Sequence, residues 1–249
     1  MNNNKMKVFL IVCVVVFLTG LVATVAGTAL HGWRDLDKLP GDWHINQGSG
    51  NTDTYSLTGN SAKFDSMDLN LALCDVEFKE GDEYRIDLTY DKEMNRPDIS
   101  IENGTLAVTT NDEHFISGDD NGFTMVLEIT VPKGTTLSKA DLSMDACQVD
   151  ISDLDAKNLD LSMDIGELTA EGLTFDTAKF SLNLCDATLK MTGETADYDY
   201  DIESGLGSVT LDGHDVEKAS GHYSAPYYYD LEADLSDVTI DYQWPSGSN

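Results

Sequence analysis

From residue 140 to residue 240 polar and apolar positions alternate in short runs, and the runs themselves recur. ADLSMDACQVDI (140–151), LDLSMDIGELTA (159–170), AKFSLNLCDATL (178–189), YDIESGLGSVTL (200–211) and YDLEADLSDVTI (229–240) each align on one small residue. Those residues are Cys147, Gly166, Cys185, Gly207 and Ser236, and an earlier copy, MDLNLALCDVEF (67–78), puts Cys74 in the same slot. The first two steps from Cys147 are 19 residues each, followed by steps of 22 and 29. Self-similarity at a near-constant period marks a solenoid of stacked units, each unable to bury its apolar face alone.

Within each copy the apolar residues lie five, three and one positions before the small residue. They are Leu142, Met144 and Ala146, then Leu161, Met163 and Ile165, then Phe180, Leu182 and Leu184, with Leu206 and Leu235 closing the last two copies. Alternation with period two predicts strands with one buried face, and all of these residues are expected to point inward. After the small residue the apolar phase slips by one, to Val149 and Ile151 or Leu168 and Ala170. Such a slip needs a bend, which places the small residue at a corner. Because Cys and Ser alternate with Gly there, the demand reads as steric rather than as a need for positive φ.

A 19-residue period accommodates about three short faces per coil, with coils stacked about 4.8 Å apart in chain order. The two wider steps are expected to be loops near Asp212–Lys218 and Gly221–Pro226, and Tyr242 and Trp244 to close the end as aromatic lids. Upstream, EYRIDLTY (83–90), GTLAVTT (104–110) and TMVLEITVPKGT (124–135) are strand-like runs separated by the turn formers NRPD, SIENG and SGDDNG. They read as wider first coils of the same solenoid, a separate small β-domain being the alternative.

Ahead of the strands lie 23 uncharged residues, Val8 to Leu30, against the roughly 20 a membrane-spanning helix needs. Lys5 and Lys7 precede them and none of the 45 acidic residues does, so the positive-inside rule predicts a cytoplasmic N-terminus. A cleaved secretory signal is the competing reading, with Ala26 and Ala29 as small residues, but its apolar core would be unusually long. The predicted organisation is therefore a cytoplasmic terminus (1–7), a transmembrane anchor (8–30), a stalk (31–66) and an extracellular β-solenoid (67–249), with regular repeats over 140–240. The fold class is all-β, a single-stranded parallel β-helix behind one N-terminal helix.

The formal net charge of −30 argues against nucleic acid as a partner, since a polyanion repels phosphate. Disorder does not follow, because hydrophobic residues make up 41% of the chain and keep their period.

The order of the pieces resembles a family of bacterial surface proteins known as putative adhesins, built on a domain of unknown function. The resemblance runs from Met67 to Ile240: a first repeat, then the strand from Gly81 to Leu88, the strand from Gly104 to Val108, and Ile129 to Thr135 opening the regular repeats. It implies a right-handed parallel β-helix on an N-terminal anchor, with some relatives tied to envelope-stress regulation. This chain departs at the corner, where Cys74, Cys147, Cys185 and Ser236 replace the usual glycine.

Parallel β-helices also include lyases and hydrolases of polysaccharides. A lyase for acidic sugars needs cations and a base, whereas the three arginines, Arg34, Arg85 and Arg96, lie outside the regular repeats. The histidines, His31, His44, His114, His214 and His222, lack metal-ligand spacing. The Ser in GHYSAP (221–226) sits in no nucleophile elbow. Tyr223 and Tyr227 to Tyr229 offer either a sugar-stacking surface or the core of the last coil. Asp145, Asp164 and Asn183 fall in one outward column and form a candidate weak Ca²⁺ site, with screened acidic surface as the alternative. No other cofactor is expected. Cys74, Cys147 and Cys185 are expected to be free, buried thiols, with Cys147 and Cys185 two coils apart.

The expected function is non-enzymatic: a cell-membrane, single-pass surface protein that acts as an adhesin or envelope-associated interaction module, with an unknown surface protein or glycan as partner. The alternative is the ectodomain of an envelope-stress signalling component, followed by a polysaccharide-active enzyme.

Overall fold

The computed structural model describes residues 52–91, 97–110, 125–222 and 224–243, and these build an all-β, solenoid-like sheet. The strands in chain order are β1 (Thr52–Thr58), β2 (Ser66–Ala72), β3 (Cys74–Gly81), β4 (Arg85–Asp91), β5 (Asp98–Glu102), β6 (Thr105–Thr109), β7 (Met125–Pro132), β8 (Thr136–Leu137), β9 (Lys139–Asp145) and β10 (Cys147–Ser152). They continue as β11 (Asp155–Thr192), β12 (Tyr198–Ser204), β13 (Ser208–Leu211), β14 (His214–Val216), β15 (Lys218–Gly221), β16 (Tyr227–Ala233) and β17 (Asp237–Gln243). The apolar segment 8–30 lies outside the described residues, and among those described no helix is long and apolar enough to cross a membrane. The stalk segment ends differently from the expectation, because its residues 52–58 form β1, paired antiparallel to β4.

The period sets the register in the middle. Leu161 faces Leu142, Met163 faces Met144, and Gly166 faces Cys147, each 19 residues on. Backbone groups pair with the coil above and below, so a 38-residue run such as β11 satisfies its polar groups while it bends around the core. Leu159, Leu161, Met163, Leu168, Ala170, Leu173 and Phe175 are all buried, the inward set of one coil.

At both ends the stacking leaves chain order. The β2–β3 coil lies between β6–β7 on one side and β9–β10 on the other, all parallel. At the far end β16–β17 sits between β11 and the β12–β13 coil, so the last copy is inserted beneath the penultimate one. The expected sequential stacking is corrected here: Cys185 is followed in space by Ser236, and Gly207 comes last. The physical reason lies in the 29-residue step from Gly207 to Ser236, which is not a simple loop. It carries β14 and β15, which pair antiparallel with β13 and β12 and cover the terminal coil. The opposite end repeats the device, β4 pairing antiparallel with β7 and β5 with β6. Each terminal parallel coil is thus covered along its edge, where unpaired backbone would otherwise invite another chain.

An aromatic group fills the last coils. Tyr198 and Tyr229 are fully buried; the Tyr198 hydroxyl donates to the Thr192 carbonyl at 2.6 Å, and the Tyr229 and Tyr242 hydroxyls bond at 2.9 Å. Phe175 packs edge-on against Phe180, Tyr198 and Tyr229. Tyr242 packs against this core, while Trp244 lies outside the described residues.

Candidate functional site

The corner defines the outer surface of the solenoid. Cys74, Cys147, Cys185 and Ser236 are buried, and the inward apolar phase shifts at them, from Met144 to Cys147 and on to Val149. The residue before each corner does not continue into the core. Ile165 is 51% exposed, Leu184 51%, Leu235 49% and Leu206 87%, which corrects the inward placement expected from alternation. Leu73 and Ala146, in the same slot of the first coils, are half-buried. A strand turning a corner presents two consecutive residues outward, so Asp164 and Ile165 are both exposed.

The small residue at the corner answers to packing. A Cβ on Gly207 would lie 1.8 Å from the Ser236 carbonyl oxygen, with no unusual φ at the glycine. Gly166 combines both demands: its φ is +143°, and an added Cβ would lie 1.9 Å from the Cys147 carbonyl oxygen. In the first coils the left-handed conformation moves to the preceding residue, Leu73 (φ 52°) and Ala146 (φ 54°).

The cysteines share this column. Cys74, Cys147 and Cys185 are free, and the Cys74 and Cys147 sulfurs lie 3.3 Å apart on neighbouring coils. That bond, followed by burial, pushes the Cys74 thiol well above its ordinary range. Cys185 is bound into the same fabric, its N–H donating to Ser236 Oγ at 3.0 Å.

The spatial order along the corner is therefore Leu73, Ala146, Ile165, Leu184, Leu235, Leu206. Backbone bonds hold the last rungs: Leu235 N–H donates to the Asn183 carbonyl at 2.7 Å, and Leu206 N–H to the Asp234 carbonyl at 2.6 Å. One residue before the ridge stand Asp145, Asp164, Asn183 and Asp234; two after it stand Glu167, Asp186 and Asp237, all exposed. The proposed Ca²⁺ ligands Asp145, Asp164 and Asn183 do fall in one column. Among the described residues no group of three His, Cys, Asp or Glu side chains is placed to hold a metal ion, and the Asn183 backbone carbonyl accepts from the Leu235 N–H. Lys179 faces Asp230 of the inserted coil.

The remaining candidates disperse. Tyr229 is core, Tyr228 is exposed and donates to Asp201 at 3.2 Å, and Tyr223 lies outside the described residues. Asp201 also accepts from Ser220 Oγ at 2.7 Å and has His222 at 3.8 Å; the hydrogen bonds from Ser220 and Tyr228 hold its carboxyl low. His214 Nδ1 lies 2.9 Å from the Asp212 carbonyl, and Arg85 pairs with Asp87. Arg34, Arg96, His31, His44 and His114 lie outside the described residues. A cavity lined by Met67, Leu69, Phe78 and Met144 has a free volume of about 10 Å³, the limit for one water molecule.

A model of the family described as Toastrack DUF4097 matches residues 64–242. No curated protein matches the chain. Among solved structures, a putative cell adhesion protein from Clostridium sporogenes shares the fold at 13% identity, with a TM-score of 0.56 over 77% of this chain and 99% of that one. A putative adhesin from Bacteroides fragilis aligns at 13% identity over 79% of this chain and 99% of its own, with a TM-score of 0.37. A putative lipid binding protein from Parabacteroides distasonis aligns at 13% identity over 80% and 96%, with a TM-score of 0.28.

Proposed function

This chain belongs to the Toastrack family of domains of unknown function, and we propose that it is a non-enzymatic, membrane-anchored surface protein that binds a partner along the outside of its solenoid. The observation that carries the reading is the corner ridge: four large apolar side chains about half exposed or more, in register and fixed by backbone bonds. Monomeric proteins rarely expose a contiguous apolar patch of more than roughly a few hundred Å² unless something binds it. The fold shared with the Clostridium sporogenes protein named for cell adhesion agrees with an adhesin-like role.

In this reading residues 8–30 anchor the chain, Lys5 and Lys7 stay cytoplasmic, and the solenoid faces outward. The test is labelling of intact cells with a membrane-impermeant lysine reagent, followed by mass spectrometry. Lys139, Lys157 and Lys218 should be modified while Lys5 and Lys7 are not. Modification of the solenoid lysines only after lysis would contradict the reading, and a mature N-terminus near Ala26 or Ala29 would replace the anchor with secretion.

A further inference from the structure

The ridge has a chemistry that narrows its partner. Six rungs, Leu73 to Leu206, span roughly 24 Å at about 4.8 Å per rung. Acidic rows run along both sides: Asp164 and Asp234 on one, Glu167 and Asp186 on the other, all exposed, and no lysine or arginine stands in either row. Asp237, in the second row, is engaged with Ser208 at 2.6 Å. We propose that this apolar ridge between two anionic rows is the docking site for a cationic amphipathic helix, whose apolar stripe covers the ridge and whose flanking lysines or arginines face the carboxylates.

Charge selects that occupant over others. A second copy of the chain would bring acidic rows against acidic rows, and an anionic bilayer would do the same. An extended strand gains nothing in backbone bonding, because the ridge is a corner and not a sheet edge. The Leu206 and Leu235 N–H groups there are already bonded to the adjacent rung. A helix meets the ridge with side chains alone, and its turn of about 5.4 Å lies close to the rung spacing of about 4.8 Å. Roughly 16 helical residues match its length. The fixed backbone leaves little ordering to be done on binding, which favours affinity.

The inference rests on the interaction-module reading, but binding to the folded sheet does not depend on which side of a membrane the sheet occupies. Failure of the labelling experiment therefore leaves it standing.

The test uses the full-length chain in zwitterionic nanodiscs and a fluorescent 16-residue peptide with a leucine stripe flanked by lysines, read by anisotropy against empty nanodiscs. A scrambled peptide of the same composition should bind at least tenfold more weakly. Ile165→Ser with Leu184→Ser and Leu235→Ser should weaken the striped peptide at least tenfold and leave the melting temperature unchanged or raised. Should that triple variant fold poorly, Leu206→Ser, at the most exposed rung, should still weaken binding severalfold. Asp164→Asn with Glu167→Gln and Asp186→Asn should weaken binding and flatten its salt dependence.

Equal binding of both peptides, or of wild type and ridge variants, would overturn the proposal and leave only general attraction to an acidic surface. Self-association of the chain that the ridge variants abolish would overturn it in favour of a second copy. Ridge-dependent capture by anionic vesicles would overturn it in favour of lipid.

Discussion

The middle of the solenoid and its two ends obey different rules. From Lys139 to Thr192 the chain visits neighbouring coils in order, and the residue 19 positions on is the spatial neighbour. At the C-terminal end it overshoots, builds the outermost coil with an antiparallel cover, and turns back to fill the gap, so that Cys185 meets Ser236. At the N-terminal end it lays the inner coil first, then the covered outermost coil, before crossing to the repeat, so that Cys74 meets Cys147. The difference separates two jobs. A repeat propagates register at the cost of two open edges, whereas an inserted coil with flanking antiparallel strands closes an edge at the cost of sequence order. The ridge depends on both. Its middle rungs, Ala146, Ile165 and Leu184, come from the repeat, Leu73 comes from the coil inserted at the other end, and its top is completed because Leu235 is inserted between Leu184 and Leu206.

Locking the insertion should have the largest effect. Diamide should take two electrons and two protons from the thiols of Cys74 and Cys147 and join them, since register neighbours about 4.8 Å apart at Cα fit a disulfide. The bond would close a span of 73 residues and stabilise the fold by up to about 4 kcal/mol, read as a rise in denaturation midpoint that Cys74→Ser abolishes. Cys185 should remain reduced.

Next comes the corner itself. Gly166→Ala combines a disfavoured φ with a clash against the Cys147 carbonyl, and should cost about 3 kcal/mol in urea unfolding. Gly207→Ala meets a similar clash, but in the terminal coil, where local opening relieves it at about 1–2 kcal/mol. Equal losses would mean that middle and end unfold as one unit. Tyr229→Phe removes the bond to Tyr242 and should cost about 1 kcal/mol.

The smallest effect is electrostatic, at the seam between the inserted coil and the repeat. Asp150 faces Glu77 across that seam; burial, then the Glu77 charge, raises its pKa. A raised carboxyl binds its proton more readily in the folded state, so this contribution to stability grows as pH falls from neutral through the raised value. It levels off below the ordinary carboxylate range. Asp150→Asn should therefore stabilise the protein at neutral pH by up to about 1 kcal/mol and flatten this rise. Asp87 runs the other way: burial pushes it up, but bonds from Arg85 and Ser56 outweigh burial and hold it low. Its contribution is lost as pH falls through that lowered value.

Which residues share a column was legible in the sequence, because alternation and the small corner residue mark each copy. Which coil lies beside which was not, because Gly207 and Ser236 fit the same slot and the pattern carries no record of spatial order. The outward turn of the ridge is hidden in the sequence for a related reason. Ile165 and Leu184 extend the alternation by one more apolar residue, and nothing in a period-two pattern tells a last inward residue from a first outward one at a bend. Tyr229 as core was legible from its repeat position. The acidic column of Asp145 and Asp164 was legible too, yet the apolar row beside it, which gives it meaning, has the same period-two pattern as the core.

The inserted order is tested most directly by cross-linking within the column. In a Cys74→Ser, Cys147→Ser background, Ser236→Cys should give a disulfide with Cys185 on oxidation with diamide, mapped by mass spectrometry. Gly207→Cys in the same background should give none, because its rung lies two away from Cys185, about 9–10 Å, beyond disulfide reach. A bond from Cys185 to the thiol introduced at residue 207, and none to the one introduced at residue 236, would contradict the insertion and with it the continuous ridge.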